Sequence, residues 1–338
     1  MSRDFLINTM IRWSQRIQEA LPDKKDELYQ KALAGSGWFV PENIDQAFEG
    51  IYNYLDEKKM NSWLKSYDLP SRNGKPKNVG IVMAGNIPLV GFHDLLSVLC
   101  SGHNCLIKTS SQDHVLIPFL LNLLLELEPK MVDRVKLVDN LKKQDAVIAT
   151  GSDNTSRYFQ YYFRDIPNII RKNRTSIGVI EGNESNEDLL KLGNDILQYF
   201  GLGCRNISKI FIPEGYQLAK LFEAIQPLEE VTQYHKYLNN YDYNKSIYLV
   251  NREPFLETGF LLFKQSDQLV SPVSVVYYDY YKDQEDIEKE IASVKDKIQC
   301  VASKNSWIKN SLEFGTLQTP DPWDYADNVD TMKFLLSI

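Results

Sequence analysis

The sequence predicts an α/β protein built on a mostly parallel sheet. Short apolar runs read as buried strands: VGIVMAG (79–85), NCLIKTS (104–110), VKLVD (135–139) and DAVIATGS (145–152). Helix-like segments separate them. NIPLVGFHDLLSVLCSG reads as a helix from about Pro88 to Leu99. HVLIPFLLNLLLELE (114–128) is a second, with Pro118 in its first turn, and NTSRYFQYYF follows the fourth strand. The joints are short, and this alternation predicts a parallel sheet covered on both faces.

The flanking sequence extends the pattern. Residues 1–70 look helical: Phe5, Leu6, Met10, Ile11, Trp13 and Ile17 recur at helical spacings, Leu28 to Leu33 continue in a second helix, and Pro41 opens a third. SRNGKPKN (71–78) is a polar break. Beyond the first sheet, TSIGVIEG (175–182) is a strand, and a helix runs from Asn186 or Glu187 to Tyr199, closed by Gly201 and Gly203. SKIFIPEG is the next strand, followed by the apolar runs SIYLVN (246–251), GFLLFKQ (259–265) and LVSPVSVVYYDYY (269–281) and a charged helix over 283–298. These shifts divide the chain into a helical segment 1–70, a first α/β domain 71–200, a second 201–310 and a tail 311–338 that packs on the first domain or on a partner chain. A boundary near Cys204 places that residue where α/β enzymes hold ligands, between domains and at strand ends.

Composition narrows the function. The chain has 338 residues, 43% hydrophobic and 25% charged, an ordinary globular balance. A net charge of −7 argues against a duplex nucleic-acid surface or an anionic membrane. The most lipid-like stretch, Val115–Leu125, is about half the length a bilayer span requires. The N-terminus has early charges and no apolar h-region, so a soluble, cytoplasmic protein is expected. The four cysteines show no CxxC spacing, and the histidines make no HExxH or other ligand cluster, so neither a disulfide framework nor a metal site is predicted.

Cys204 stands apart among the cysteines. Cys100 and Cys105 fall in an apolar helix and a strand, where a thiol acts as a small hydrophobe, and Cys300 carries no local signal. Cys204 occupies GLGCRN, a glycine-flanked connector with Arg205 beside it; an adjacent cation favours thiolate. On spacing alone, a reactive thiol and a helix-capping loop that happens to hold a cysteine both stay open. Asn86, in AGNIP after the first strand, either aims its amide into a cleft as an oxyanion donor or serves a turn. No GxGxxG occurs, but Thr150, Gly151 and Ser152 form a turn between strand and helix that suits a phosphate or is a plain helix cap. Lys108 closes a strand where an unpaired charge is costly, which suits a ribose or phosphate contact. His235, among tyrosines and asparagines, is an acid–base candidate or a surface residue.

In combination these segments resemble the acyl-CoA reductase family related to the fatty-acid reductase of bacterial bioluminescence, in the aldehyde dehydrogenase superfamily. The resemblance runs from about Val79 to the C-terminus and is carried by VGIVMAGNIPLVGFHDLLSVLCSGHNCLIKTS, ATGSDNTSRYF, NRTSIGVIEG, LGNDILQYFGLGCRNISKIFIP and TLQTPDPWDYADNVDTMKFL, in the family's order. It implies an aldehyde dehydrogenase-like fold, with a Rossmann-type nicotinamide domain and an α/β catalytic domain. By the same resemblance Cys204 is the catalytic thiol and Asn86 the oxyanion-hole asparagine. Lys108 contacts the cofactor ribose, and Thr150, Gly151 and Ser152 lie near the pyrophosphate. Pro272 resembles the proline of the Phe-Gly-Pro motif, whereas the glutamate four positions earlier is replaced by Gln268. Where acid-forming aldehyde dehydrogenases carry a water-activating glutamate, IIRKNRTS places Ile170.

The implied activity is reduction of an acyl-CoA, or a related acyl thioester, to an aldehyde through a cysteine thioester. NADPH is expected ahead of NADH, and the superfamily's habit suggests a homo-oligomer. The rivals are a CoA-acylating aldehyde dehydrogenase running oxidatively, a cysteine hydrolase using His235, and a non-catalytic subunit that kept the fold.

Overall fold

The computed structural model describes residues 3–69 and 75–338, so the start of the 71–78 break lies outside the described residues. The chain forms two compact units: residues 1–173 with 319–338, and residues 174–318.

The first unit opens with a helical layer. Helix α1 (Arg3–Gly35) is one 33-residue helix where the spacing suggested two, and Pro22 lies inside it. Its buried stripe of Leu6, Met10, Trp13, Ile17, Leu21, Leu28 and Ala32 follows the helical period. Trp13 also donates its indole N–H to the Leu120 carbonyl (2.9 Å), so the ring is buried without losing a hydrogen bond. Helices α2 (Pro41–Tyr54) and α3 (Glu57–Lys65) complete the layer.

The sheet follows: β1 (Asn78–Val82), α4 (Phe92–Cys100), β2 (Asn104–Lys108), α5 (Leu116–Leu127), β3 (Val135–Leu137), β4 (Ala146–Thr150), α6 (Asp153–Tyr162) and β5 (Asn168–Arg171). All pairings are parallel, in the order β3-β2-β1-β4-β5. Connections leave β1 toward β2 and return to β4 on its other side, so the chain direction parts between β1 and β4. In such sheets ligands bind at the carboxyl ends of these strands. Helix α4 begins at Phe92, not Pro88, because Leu89 is left-handed (φ 57°) and its N–H is taken by Asp113. Strand β5 was not anticipated from the sequence; Ile169 and Ile170 pair with Ile148 and Ala149.

The C-terminal segment returns to this unit. His93 in the first turn of α4 and His103 just beyond its end, both buried, hold the carbonyls of Pro322 and Leu335 at 2.9 and 2.8 Å. Tyr325 accepts from the Trp63 indole at 2.6 Å, and Lys59 pairs with Asp321. Arg171 is 3% exposed. Its guanidinium meets Asp94 (2.6 Å), the Ala326 carbonyl (2.7 Å) and the Thr331 hydroxyl (3.0 Å).

The second unit holds β6 (Thr175–Val179), α7 (Asn186–Leu197), β7 (Ile207–Pro213), α8 (Leu218–Ile225), α9 (His235–Asn251), β8 (Leu256–Glu257), β9 (Leu262–Gln265), β10 (Val275–Tyr281), α10 (Gln284–Val294) and β11 (Ile298–Ser303). Its sheet runs β11-β6-β7-β10-β9-β8, parallel except for the β8–β9 pair. The expected division near residue 200 is thereby corrected. Strand β6 pairs with β7 and β11 of this second sheet, which moves the division to Asn173–Arg174. SIYLVN is the end of helix α9 rather than a further strand, and the charged helix stops at Val294 because Ile298–Ser303 is taken into the sheet.

Removing one partner of a buried ion pair strands the other charge. Replacing Asp94 by Ala should lower the stability of the protein by roughly 3–5 kcal/mol, read by urea unfolding. A smaller loss is expected when Arg171 is simultaneously replaced by Met; equal losses would show that the pair is not what the substitution breaks.

Candidate active site

The first unit gathers five of the candidates at the carboxyl edge of its sheet. Val82, the last residue of β1, pairs with Lys108 on one side and Ala149 on the other. Four residues on, Asn86 stands exposed in the loop that follows β1. That loop is packed against the loop after β2: a Cβ on Gly85 would lie 2.3 Å from the Ser110 hydroxyl, so only glycine fits. Asp113, buried, accepts the Leu89 N–H at 2.8 Å and ties the two loops together.

Lys108 ends β2 half-buried and donates to the Asp139 carbonyl (2.9 Å). Thr150 ends β4. Ser152 is the N-cap of α6, its hydroxyl accepting from the Thr155 N–H at 3.3 Å. The plain capping role is therefore filled. It coexists with a donor-rich helix start, since the first N–H groups of a helix have no carbonyl partner within it. Gly151 keeps that start compact; a Cβ there would come within 3.0 Å of Thr155.

The second unit places Cys204 just before β7, half-buried in a turn. Helix α7 ends into three successive left-handed residues, Tyr199, Phe200 and Gly201 (φ 51°, 59° and 77°). The Phe200 ring is pinned by Tyr234 and Tyr237 at centroid distances of 5.1 and 5.9 Å. The turn itself is closed by Asn206, which is 1% exposed. The Asn206 backbone N–H donates to the Gly203 carbonyl (3.0 Å) and its Oδ1 accepts the Gly203 N–H (2.8 Å). Its Nδ2 donates to the carbonyls of Asp195 (3.0 Å) and Gln198 (2.7 Å), with that of Ile196 further off at 3.4 Å.

Ser176, on β6, donates its hydroxyl to the Cys204 carbonyl (3.1 Å) and accepts the Cys300 N–H (3.1 Å). Arg205 turns across the sheet to donate to the Cys300 sulfur (3.2 Å). The cation beside Cys204 in sequence thus has the other half-buried thiol among its partners. Pro272 lies in the loop before β10, which the Ser208 hydroxyl holds through the Leu269 carbonyl at the same amino edge of the sheet. Gln268 belongs to that loop. His235 is exposed in the first turn of α9, outside the hydrogen-bonded group around Cys204. Ile170 is on β5 of the first unit.

Burial sorts the remaining thiols. It pushes the Cys100 thiol up to about 12 and raises that of Cys105 as well, so both are inert at neutral pH. Among the described residues no group of three or more His, Cys, Asp or Glu could hold a metal ion, and no helix is long and apolar enough to cross a membrane.

Ser176, Asp113 and Asp195 hold loop backbones, and none of them is singled out by the sequence. Ser176 and Asp195 show there only as polar letters in apolar runs, and Asp113 is hidden in the polar stretch SSQDH. Asp195, also 1% exposed, lies on the buried face of α7 beside Leu192 and Ile196 and accepts the N–H groups of Gly315 (2.6 Å) and Leu317 (3.4 Å).

The fold has solved counterparts. The aldehyde dehydrogenase KauB from Pseudomonas aeruginosa is similar at 13% identity, over 90% of this chain and 73% of that one, with a TM-score of 0.65. P. syringae AldA, an indole-3-acetaldehyde dehydrogenase in complex with NAD+ and IAA, gives 12% identity, 92% and 74% coverage and a TM-score of 0.66. A Mycobacterium tuberculosis aldehyde dehydrogenase complexed with NAD+ gives 12%, 89% and 72%, and 0.62. No curated protein matches the sequence significantly. These likenesses define the class as an aldehyde dehydrogenase-type α/β fold. The acyl-CoA reductase (LuxC) family profile matches residues 12–229, about two thirds of the chain, and the chain belongs to that family. The family's chemistry is reduction of acyl-CoA.

Burial pushes the Asp113 carboxyl up to about 6 and that of Asp195 up to about 7, against the lowering by their amide donors. A carboxyl raised in this way stabilises the fold fully while protonated, below about pH 4, and the contribution is lost as pH rises through the folded value. From pH 5 to pH 8 the protein should therefore lose stability. Asp195→Asn should cut that loss by an amount on the order of a few kcal/mol, in urea titrations at the two pH values. Parallel curves for the two proteins would contradict the assignment.

Proposed function

We propose that the protein reduces an acyl-CoA, or a related acyl thioester, to an aldehyde through a thioester on Cys204, with NADPH preferred to NADH. The observation that carries the reading is the Cys204 turn: of the four cysteines, Cys204 stands half-buried in a turn whose flanking peptides are hydrogen-bonded, whereas Cys100 and Cys105 are buried with raised thiols. A fixed nucleophile suits covalent catalysis.

The donors at the first unit's strand ends fit a dinucleotide. Lys108 would meet its ribose or phosphate, and Thr150, Gly151 and Ser152, leading into the start of α6, would hold the pyrophosphate. When bound, the reduced nicotinamide supplies the two electrons that take the acyl group to the aldehyde. The protein's own groups do the rest. The Cys204 thiolate attacks the acyl-CoA carbonyl, and the Asn86 amide with the Cys204 N–H donate to the oxygen that becomes negative. A single donor of this kind contributes roughly 3–4 kcal/mol in other enzymes. CoA departs as a thiolate and asks little of a general acid, so His235 is not required. IIRKNRTS contains no carboxylate that could activate water, which suits an enzyme that must keep its thioester intact for reduction rather than hydrolyse it. A soluble, cytoplasmic homo-oligomer is the assembly this reading carries with it.

Intact mass after mixing with a series of acyl-CoAs tests the proposal. An adduct of acyl mass on Cys204 should form without cofactor, then disappear with release of aldehyde when NADPH is added. NADH should act more slowly. Cys204→Ala should abolish the adduct while retaining nicotinamide binding, and Asn86→Ala should slow acylation by roughly 100-fold with little change in melting temperature. Turnover by Cys204→Ala would end the assignment, and an adduct that water removes as fast as NADPH does would favour a hydrolase.

A further inference from the structure

The two peptide units that flank Cys204 are each held through their carbonyl. In the peptide between residues 203 and 204, the Gly203 carbonyl accepts from the Asn206 N–H (3.0 Å). A trans peptide is planar, with its N–H opposite its C=O. Turning the Gly203 carbonyl toward Asn206 therefore turns the Cys204 N–H away from Asn206, out of the turn. The next peptide is fixed in the same way, because the Cys204 carbonyl accepts the Ser176 hydroxyl (3.1 Å). With both planes held, the backbone dihedrals of Cys204 are set, and so is the direction in which its Cβ, the atom that bears the sulfur, leaves the chain.

The supports of these two contacts are rigid. Ser176 is buried in the second residue of β6, and its hydroxyl is itself oriented by the Cys300 N–H (3.1 Å), leaving its proton directed to Cys204. The β6 backbone closes the loop from the other side, the Ser176 N–H donating to the Asn206 carbonyl (3.0 Å). Asn206 is anchored in turn to the end of α7 through the Asp195, Ile196 and Gln198 carbonyls. Helix ends leave such carbonyls without partners.

We infer that Ser176 and Asn206 are positioning residues that hold the Cys204 thiol and the Cys204 N–H in fixed relation, so that the attacking sulfur and a donor to the developing oxyanion are presented together. The inference rests on the nucleophilic role of Cys204 proposed above. Ser176 does not touch the substrate in this scheme; it acts only through the Cys204 peptide.

Two reactions of the same sulfur separate this role from general support of the fold. Acylation by octanoyl-CoA builds an oxyanion, whereas alkylation by iodoacetamide does not. Ser176→Ala should slow acylation of Cys204 by roughly 10- to 100-fold and alkylation by less than about threefold. Ser176→Thr, which keeps a hydroxyl on a strand position, should recover most of the acylation rate. Asn206→Ala should slow acylation at least as much, with a lower melting temperature because three carbonyls lose their donor. Equal effects on both reactions in Ser176→Ala, or none on either, would overturn the positioning role while leaving Cys204 as the nucleophile. A wild-type protein that octanoyl-CoA and shorter and longer acyl-CoAs all fail to acylate at Cys204 would overturn the underlying reading, and this inference with it.

Discussion

The buried carboxamide of Asn206 is the constraint on which the candidate site of the second unit depends. A helix must end before the turn that carries the cysteine, and its last carbonyls need partners. Tyr199 and Phe200 end it in left-handed conformations that cost about 1–2 kcal/mol each for residues bearing a Cβ. Burial of the Phe200 ring among Tyr234 and Tyr237 offsets that cost, and the Asn206 amide takes up carbonyls the helix leaves behind. An aliphatic residue at 206 would leave these acceptors buried and unpaired, at about 1–3 kcal/mol each. The same side chain fixes Gly203, so the termination of a helix and the orientation of the Cys204 turn become one problem with one solution.

The first unit solves a parallel problem with a carboxyl group. The loop after β1 must stay open enough for Asn86 to be exposed, yet its backbone runs through a left-handed Leu89 and a glycine against Ser110. Asp113 holds that loop from below through the Leu89 N–H, and its burial raises the carboxyl to about 6. A polar group in an apolar setting is expensive unless it is paired. In both units such groups appear beneath the loops that carry the candidate chemistry, and the surrounding sheets are assembled from Ile, Val and Leu.

That division explains what could be read from the sequence. The parallel strands were legible because a strand buried on both faces must be a continuous apolar run, as in VGIVM and AVIAT. Cys204 and Asn86 stand out as candidates because each sits in a short connector between a strand and a helix. Strand β5 was obscured by charged IIRKNR, since an edge strand needs only one apolar face. The division between units fell short of Cys204 because strand pairing, invisible in a single sequence, assigns TSIGV to the second sheet. Ser176 and Asp195 left only the trace of a polar letter in an apolar pattern, and the contact of Arg205 with Cys300 was hidden because it joins residues 95 apart in sequence.

Four thiols share one chain, and their environments separate them more sharply than their chemistry could. Cys100 and Cys105 are fully buried, and the loss of solvent outweighs the favourable charge of nearby Arg134, so their protons are held. Cys204 and Cys300 lie instead at the amino edge of the second sheet, joined through the Ser176 hydroxyl, which gives its proton to one backbone and accepts from the other. The Arg205 guanidinium has the Cys300 sulfur among its partners. Cys300 is held within strand β11, whereas Cys204 stands in the turn that Gly203 and Asn206 close, so the two half-buried thiols differ in the backbone that carries them.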